Sequence, residues 1–154
     1  MDSSSTYLLR GLTEGQMKKI LAAGKEISMK KGQQVIKEGQ EADGVYILRS
    51  GAVELMTTVE KGFDLPISIL REPGDVFGTS ALVPPHQYSL SARCVEKGVL
   101  VCMETSALRK LAERNQKIEC QMMTNLAAYF LDRLKETRQE VKIHFKTLLC
   151  STRS

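Results

Sequence analysis

The part of this sequence best suited to chemistry is Pro73-Gly74-Asp75-Val76-Phe77-Gly78-Thr79-Ser80-Ala81-Leu82. It reads as a tight turn, a buried aromatic, a glycine, then small residues suited to one helical turn. Backbone N–H groups at the start of such a turn lack intrahelical partners, and their dipoles favour an anion. Gly78 has no Cβ to hold a ligand away from the main chain. The stretch therefore reads as a phosphate seat, or, more plainly, as a β-turn between two strands. Gln87, Tyr88 and Ser89 follow closely and add amide and hydroxyl groups. Tyr88 could stack on a ring or simply fill the core.

Three zones must position this stretch. The first is helical: Thr13-Glu14-Gly15-Gln16 matches a capping box, and Met17, Ile20 and Leu21 continue with helical spacing to about Gly24. The second, about 25–103, is a succession of short strands separated by Gly32, Gly39, Gly51 and Gly74. Turns every 8–12 residues predict two sheets facing across a shared core. The third, about 105–145, is helical again. Thr105 or Ser106 caps a helix ending near Asn115, and a longer helix runs from about Lys117, with 146–154 left as a tail. Met122, Leu126, Tyr129, Phe130 and Leu134 form an apolar stripe without a sustained heptad. Packing on its own sheet, pairing with a second subunit and covering a ligand all remain open for that stripe.

Composition narrows the function. The chain has 154 residues, 42% apolar and 26% charged, with a formal net charge of +4. One domain of ordinary globular composition follows. The charges are interleaved, as in Lys135-Glu136-Thr137-Arg138-Gln139-Glu140, which is a solvated mixed surface and no nucleic-acid footprint. Residues 1–5 lack the pattern of a signal peptide, and no apolar run is long enough to span a bilayer, so a soluble cytoplasmic protein is expected. Cys94, Cys102, Cys120 and Cys150 have no metal-binding spacing; reduced, buried thiols are expected at Cys94 and Cys102. With His86 and His144 as the sole histidines and no nucleophile or P-loop motif, the sequence gives no reason to expect an enzyme.

The glycine-spaced run from Lys31 to Val53, with Pro73 to Gly78 after it, resembles the cyclic nucleotide-binding domain family over residues 8–136. That resemblance implies a mainly β fold with flanking α elements. Its centre is a double-stranded β-helix (jelly roll) with one N-terminal and two C-terminal helices, and residues 1–145 form one domain. It also implies a ligand site at Phe77, Gly78, Thr79, Ser80, Ala81, Leu82, His86, Gln87, Tyr88 and Ser89.

Binding members of the family read Phe-Gly-Glu-x-Ala-Leu, then Arg-x-Ala. The glutamate holds the ribose 2′-hydroxyl and the arginine pairs with the cyclic phosphate. Here Thr79 stands for the glutamate, and the arginine position falls at about His86, a cation only when protonated. Arg93 is a weaker substitute. Charge-assisted bonds contribute roughly 1.5–3 kcal/mol each, so losing both weakens binding by about 10²–10⁴.

The resemblance thus implies a regulatory module binding cyclic nucleotide weakly, or another small anion, and signalling through its last helix. The alternative is a protein-interaction module with a vestigial pocket. A homodimer through the helix at about 117–145 is expected, with no bound cofactor besides such a ligand. The segment after that helix is too short for a helix-turn-helix, so no direct DNA binding is expected.

Overall fold

The computed structural model describes residues 6–153. Residues 1–5, where no signal peptide was expected, and Ser154 lie outside the described part.

A 3-10 turn at Tyr7–Leu9 precedes α1, Glu14–Ala22. The capping box forms as the sequence suggests. Thr13 Oγ1 accepts the Gln16 N–H at 3.2 Å, and Gln16 Oε1 accepts the Thr13 N–H at 3.0 Å.

Eight strands follow: β1 Gly24–Met29, β2 Gln34–Ile36, β3 Gly44–Leu48, β4 Ala52–Glu60, β5 Phe63–Leu70, β6 Val76–Phe77, β7 Ser91–Glu96 and β8 Gly98–Glu104. They form two antiparallel four-stranded sheets, ordered β1-β8-β3-β6 and β2-β7-β4-β5. This is the expected jelly roll. Ile47, Leu48, Leu100 and Met103 are fully buried, on both faces of their sheet. Gly51 and Gly98 show why small residues stand at these reversals: a Cβ on Gly98 would lie 2.0 Å from the Ser50 carbonyl oxygen. β5 is an edge strand, and its Phe63, Leu65, Ile67 and Ile69 are exposed.

Two helices close the fold, α2 at Thr105–Arg114 and α3 at Gln116–Thr152. Glu104, not Thr105 or Ser106, is the N-cap of α2, and it makes no side-chain capping bond. Thr105 is instead committed to the sheet edge, its hydroxyl donating to the Ala42 carbonyl at 3.2 Å and its N–H to Asp43 at 2.9 Å. Asn115 breaks the chain between the helices, and its side chain accepts the Ile118 N–H, starting α3.

The long helix does not stop near 145. Residues 146–152, read as a tail, continue it, because Val141 to Thr152 contain no glycine or proline to end it. The N-terminal turn is stapled to α3: Asn125 Nδ2 donates to the carbonyls of Leu8 at 2.9 Å and Arg10 at 2.8 Å. The Tyr7 ring stacks on Tyr129, centroids 4.1 Å apart.

Candidate functional site

The cassette begins where β6 ends. Val76 and Phe77 pair with Ile47 and Tyr46 of β3, and the Phe77 ring stacks on Tyr46 at 5.2 Å. Phe77 is thus a core residue that aims the turn and offers no surface to a ligand. Gly78 then takes φ +78°, and residues Thr79–Leu82 wind into a 3-10 turn. The sequence reading gave Gly78 the role of admitting a ligand. Its surroundings assign a different one, because a Cβ there would meet the Gly44 carbonyl at 3.1 Å and the Tyr88 ring at 3.3 Å. Glycine is required by the left-handed backbone and by the protein's own packing.

The backbone donors of the turn are partly committed as well. The Ala81 N–H bonds to the Gly78 carbonyl at 3.2 Å, and the Ser89 N–H reaches Ser80 Oγ at 3.3 Å. Thr79 is buried beside the Tyr7 hydroxyl. That hydroxyl is itself buried without a hydrogen bond of ordinary geometry, and its ionisation is pushed well above the usual tyrosine range, mainly by desolvation.

Tyr88 lies on the core side. Its hydroxyl is 2.8 Å from both Asp43 Oδ1 and the Gly44 carbonyl, and it accepts the Gly44 N–H at 3.1 Å. Desolvation, with the Asp43 bond second, raises its ionisation far above normal. Tyr88 is a latch joining the cassette loop to the start of β3, so stacking on a ligand ring is not the role its contacts give it.

His86 sits at φ +60°, a conformation uncommon outside glycine. Its Nδ1 contacts the Ala81 carbonyl at 2.9 Å, which requires the proton on Nδ1, and its own carbonyl accepts the Ala42 N–H at 2.8 Å. The sequence reading put the family's arginine position here. Ala92 pairs with Leu55 inside β7, and counting Arg-x-Ala back from it reaches Leu90, an apolar residue. Arg93 is exposed and joined to Glu54 at 3.3 Å. Gln87 bridges to Glu41 and, like Ser89, is exposed at the surface.

The structure brings Ala81, Leu82 and His86 together with partners that the sequence reading missed. They form one wall of a cleft of about 350 Å³, and Leu108, Arg109, Leu111, Ile118 and Met122 of α2 and α3 form the other. Leu108 and Leu111 were legible as a helical apolar pair, but nothing in the sequence marked Arg109 as a neighbour of His86. Arg109, His86 and Thr105 also line an adjoining recess of about 580 Å³ with Glu41, Asp43 and Gln87. Among the described residues Arg109 has no ion-pair partner, while Glu113 and Glu119 line the same cleft. The volume is that of a small-molecule site.

Residues 26–115 match the family described as cyclic nucleotide-binding domain. The chain belongs to that family. A cyclic nucleotide-binding domain of this kind has a regulatory role, and the two-sheet roll with its flanking helices is the family's fold. The chain is 23% identical over 118 residues to the anaerobic regulatory protein of Bacillus subtilis (strain 168), covering 77% of this chain and 49% of that one. Catabolite activator protein of Thermus thermophilus superposes with TM-score 0.76 at 25% identity, covering 90% of this chain and 62% of its own. The sensor domain of the transcriptional regulator DNR from Pseudomonas aeruginosa superposes with TM-score 0.68 at 21% identity, over 86% of this chain and 89% of that one. The chain spans about half the length of the Bacillus relative. These relatives are regulators. Among the described residues no helix is long and apolar enough to cross a membrane.

Proposed function

We propose that this cyclic nucleotide-binding domain is a small-anion sensor that binds cyclic AMP only weakly and reports occupancy through α3. One observation carries the reading: a single cleft is walled on one side by the cassette and on the other by the α2–α3 elbow at Asn115. A ligand that shifts Ala81 and Leu82 changes the packing of Ile118 and Met122, and so the orientation of the helix.

Contacts fall to Thr79, Ser80, Ala81, Leu82, His86, Gln87 and Ser89, with Phe77, Gly78 and Tyr88 holding the turn in place. Thr79 and Leu90 stand where the family's glutamate and arginine would be, so neither family anchor is charged. Two copies pair along α3 within residues 117–145, and the protein acts in the cytoplasm.

Titration calorimetry with cyclic AMP, cyclic GMP, cyclic dinucleotides and small organic anions tests this. Cyclic AMP is expected to show no saturation in the micromolar range. Micromolar cyclic AMP binding overturns the weak-binding reading.

A second reading is favoured by the burial of Phe77 and Tyr88, 3% and 4% exposed, against the turn. The domain would then be a protein-interaction module whose pocket is vestigial. A screen with no bound ligand, together with unchanged self-association, selects that reading.

A further inference from the structure

The cleft between the cassette and the α2–α3 elbow and the recess beside it have opposite characters. They share His86, Thr105 and Arg109 along a common rim. The cleft side is apolar, with Leu82, Leu108, Leu111, Ile118, Met122 and Met123. Its two thioether side chains are flexible and close around apolar groups of different shape. The recess side is polar, with Glu41, Asp43, Gln87 and Ser106.

The charges of these walls select a ligand. Arg109 on the rim faces Glu113 and Glu119 in the cleft and Glu41 and Asp43 in the recess, and no lysine joins it in either lining. Among the described residues Glu41, Arg109, Glu113 and Glu119 take part in no ion pair. Asp43 is held from two sides: Tyr88 donates its hydroxyl to Oδ1 at 2.8 Å, and the Thr105 N–H reaches the Asp43 carbonyl at 2.9 Å. His86, with its proton on Nδ1, keeps Nε2 as an acceptor. The recess thus supplies acceptors, and the rim supplies the forked donors of a guanidinium.

A bare anion meets four carboxylates for one guanidinium in this lining. A bare amine leaves Arg109 without a partner. A zwitterion satisfies both signs and adds no net charge. An apolar side chain on it enters the cleft, whose volume of about 350 Å³ is at the small end for ligand sites.

Resting on the reading of this cleft as a ligand site, we propose that its ligand is an α-amino acid with a large apolar side chain. Arg109 takes the carboxylate, which is the small anion of that reading. Glu41 and Asp43 take the ammonium, and Leu108, Leu111 and Met122 surround the side chain.

The test is titration calorimetry of the full chain with four probes. They are L-phenylalanine, 3-phenylpropionate without the ammonium, phenethylamine without the carboxylate, and L-serine without the apolar group. L-Phenylalanine is expected to bind at least about tenfold tighter than each of the others, since one charged contact contributes about a decade in affinity. Arg109→Gln is expected to weaken L-phenylalanine about tenfold without weakening phenethylamine. Glu41→Gln is expected to weaken L-phenylalanine and strengthen 3-phenylpropionate, because one repelling carboxylate is gone. Both positions are exposed, so neither substitution endangers the fold. Equal or tighter binding of 3-phenylpropionate overturns the proposal and leaves the anion-sensing reading standing. Equal binding of phenethylamine or L-serine overturns it, as does an unchanged L-phenylalanine affinity in Arg109→Gln. No binding of L-phenylalanine also overturns it, and the wider anion screen then decides the sensor reading separately.

Discussion

The first and second parts of α3 carry similar densities of apolar residues and meet opposite surroundings. Ile118, Met122 and Leu126 are buried on the β-roll and the N-terminal turn, whereas Phe130, Leu134, Val141 and Phe145 lie exposed. At about 100° per residue the two faces differ by roughly a third of a turn around the axis, so the exposed seam is no continuation of the buried one. Periodicity states that a helix has an apolar face, and only the surrounding chain determines what covers it.

Leu126→Ala is the strongest way to break the comparison. Removing this fully buried side chain should cost about 2–5 kcal/mol, read as a lower urea midpoint, because the closed site cannot collapse around the gap. A loss under about 1 kcal/mol would place Leu126 with the exposed half. Next comes Asn125→Ala, which deprives the Leu8 and Arg10 carbonyls of their donor. A cost of about 1–3 kcal/mol is expected, with faster hydrogen exchange in residues 7–12.

Tyr7→Phe should act in the other direction. Deleting a buried hydroxyl that lacks a hydrogen bond of ordinary geometry should stabilise the free protein by about 1 kcal/mol while leaving the stack on Tyr129 intact. A loss of stability would mean that Thr79 is a real partner of Tyr7. The smallest effect is expected from Val141→Ala, within about 0.5 kcal/mol for the monomer. A larger change in dilute solution would show that the distal half is already covered.

Much of the fold was legible because its signals are local. The Thr13–Gln16 box needs only four residues, and glycines such as Gly51 mark reversals wherever the sheets stand. The two cysteines in strand surroundings behave likewise: Cys94 is buried, Cys102 is half-buried, and burial raises both thiols.

The site was legible only in outline. Phe77, Gly78 and Tyr88 lie at and beside the turn, yet their roles depend on Tyr46, Asp43 and Gly44, residues more than thirty positions away in sequence. Arg109 shares a cleft with His86 through the fold alone. The end of α3 was missed for a simpler reason. The stripe was read from Met122 to Leu134, where two apolar faces overlap.

The elbow at Asn115 has a mechanical consequence. With 37 residues at about 1.5 Å each, α3 is a rod of roughly 55 Å, held near one end by buried Ile118, Met122 and Leu126 and by the Asn125 bonds. A tilt of about 10° of such a rod sweeps its far tip through roughly 10 Å. Under the proposed signalling role, leverage of that kind would turn sub-ångström rearrangements around a ligand into a displacement large enough for another protein to register.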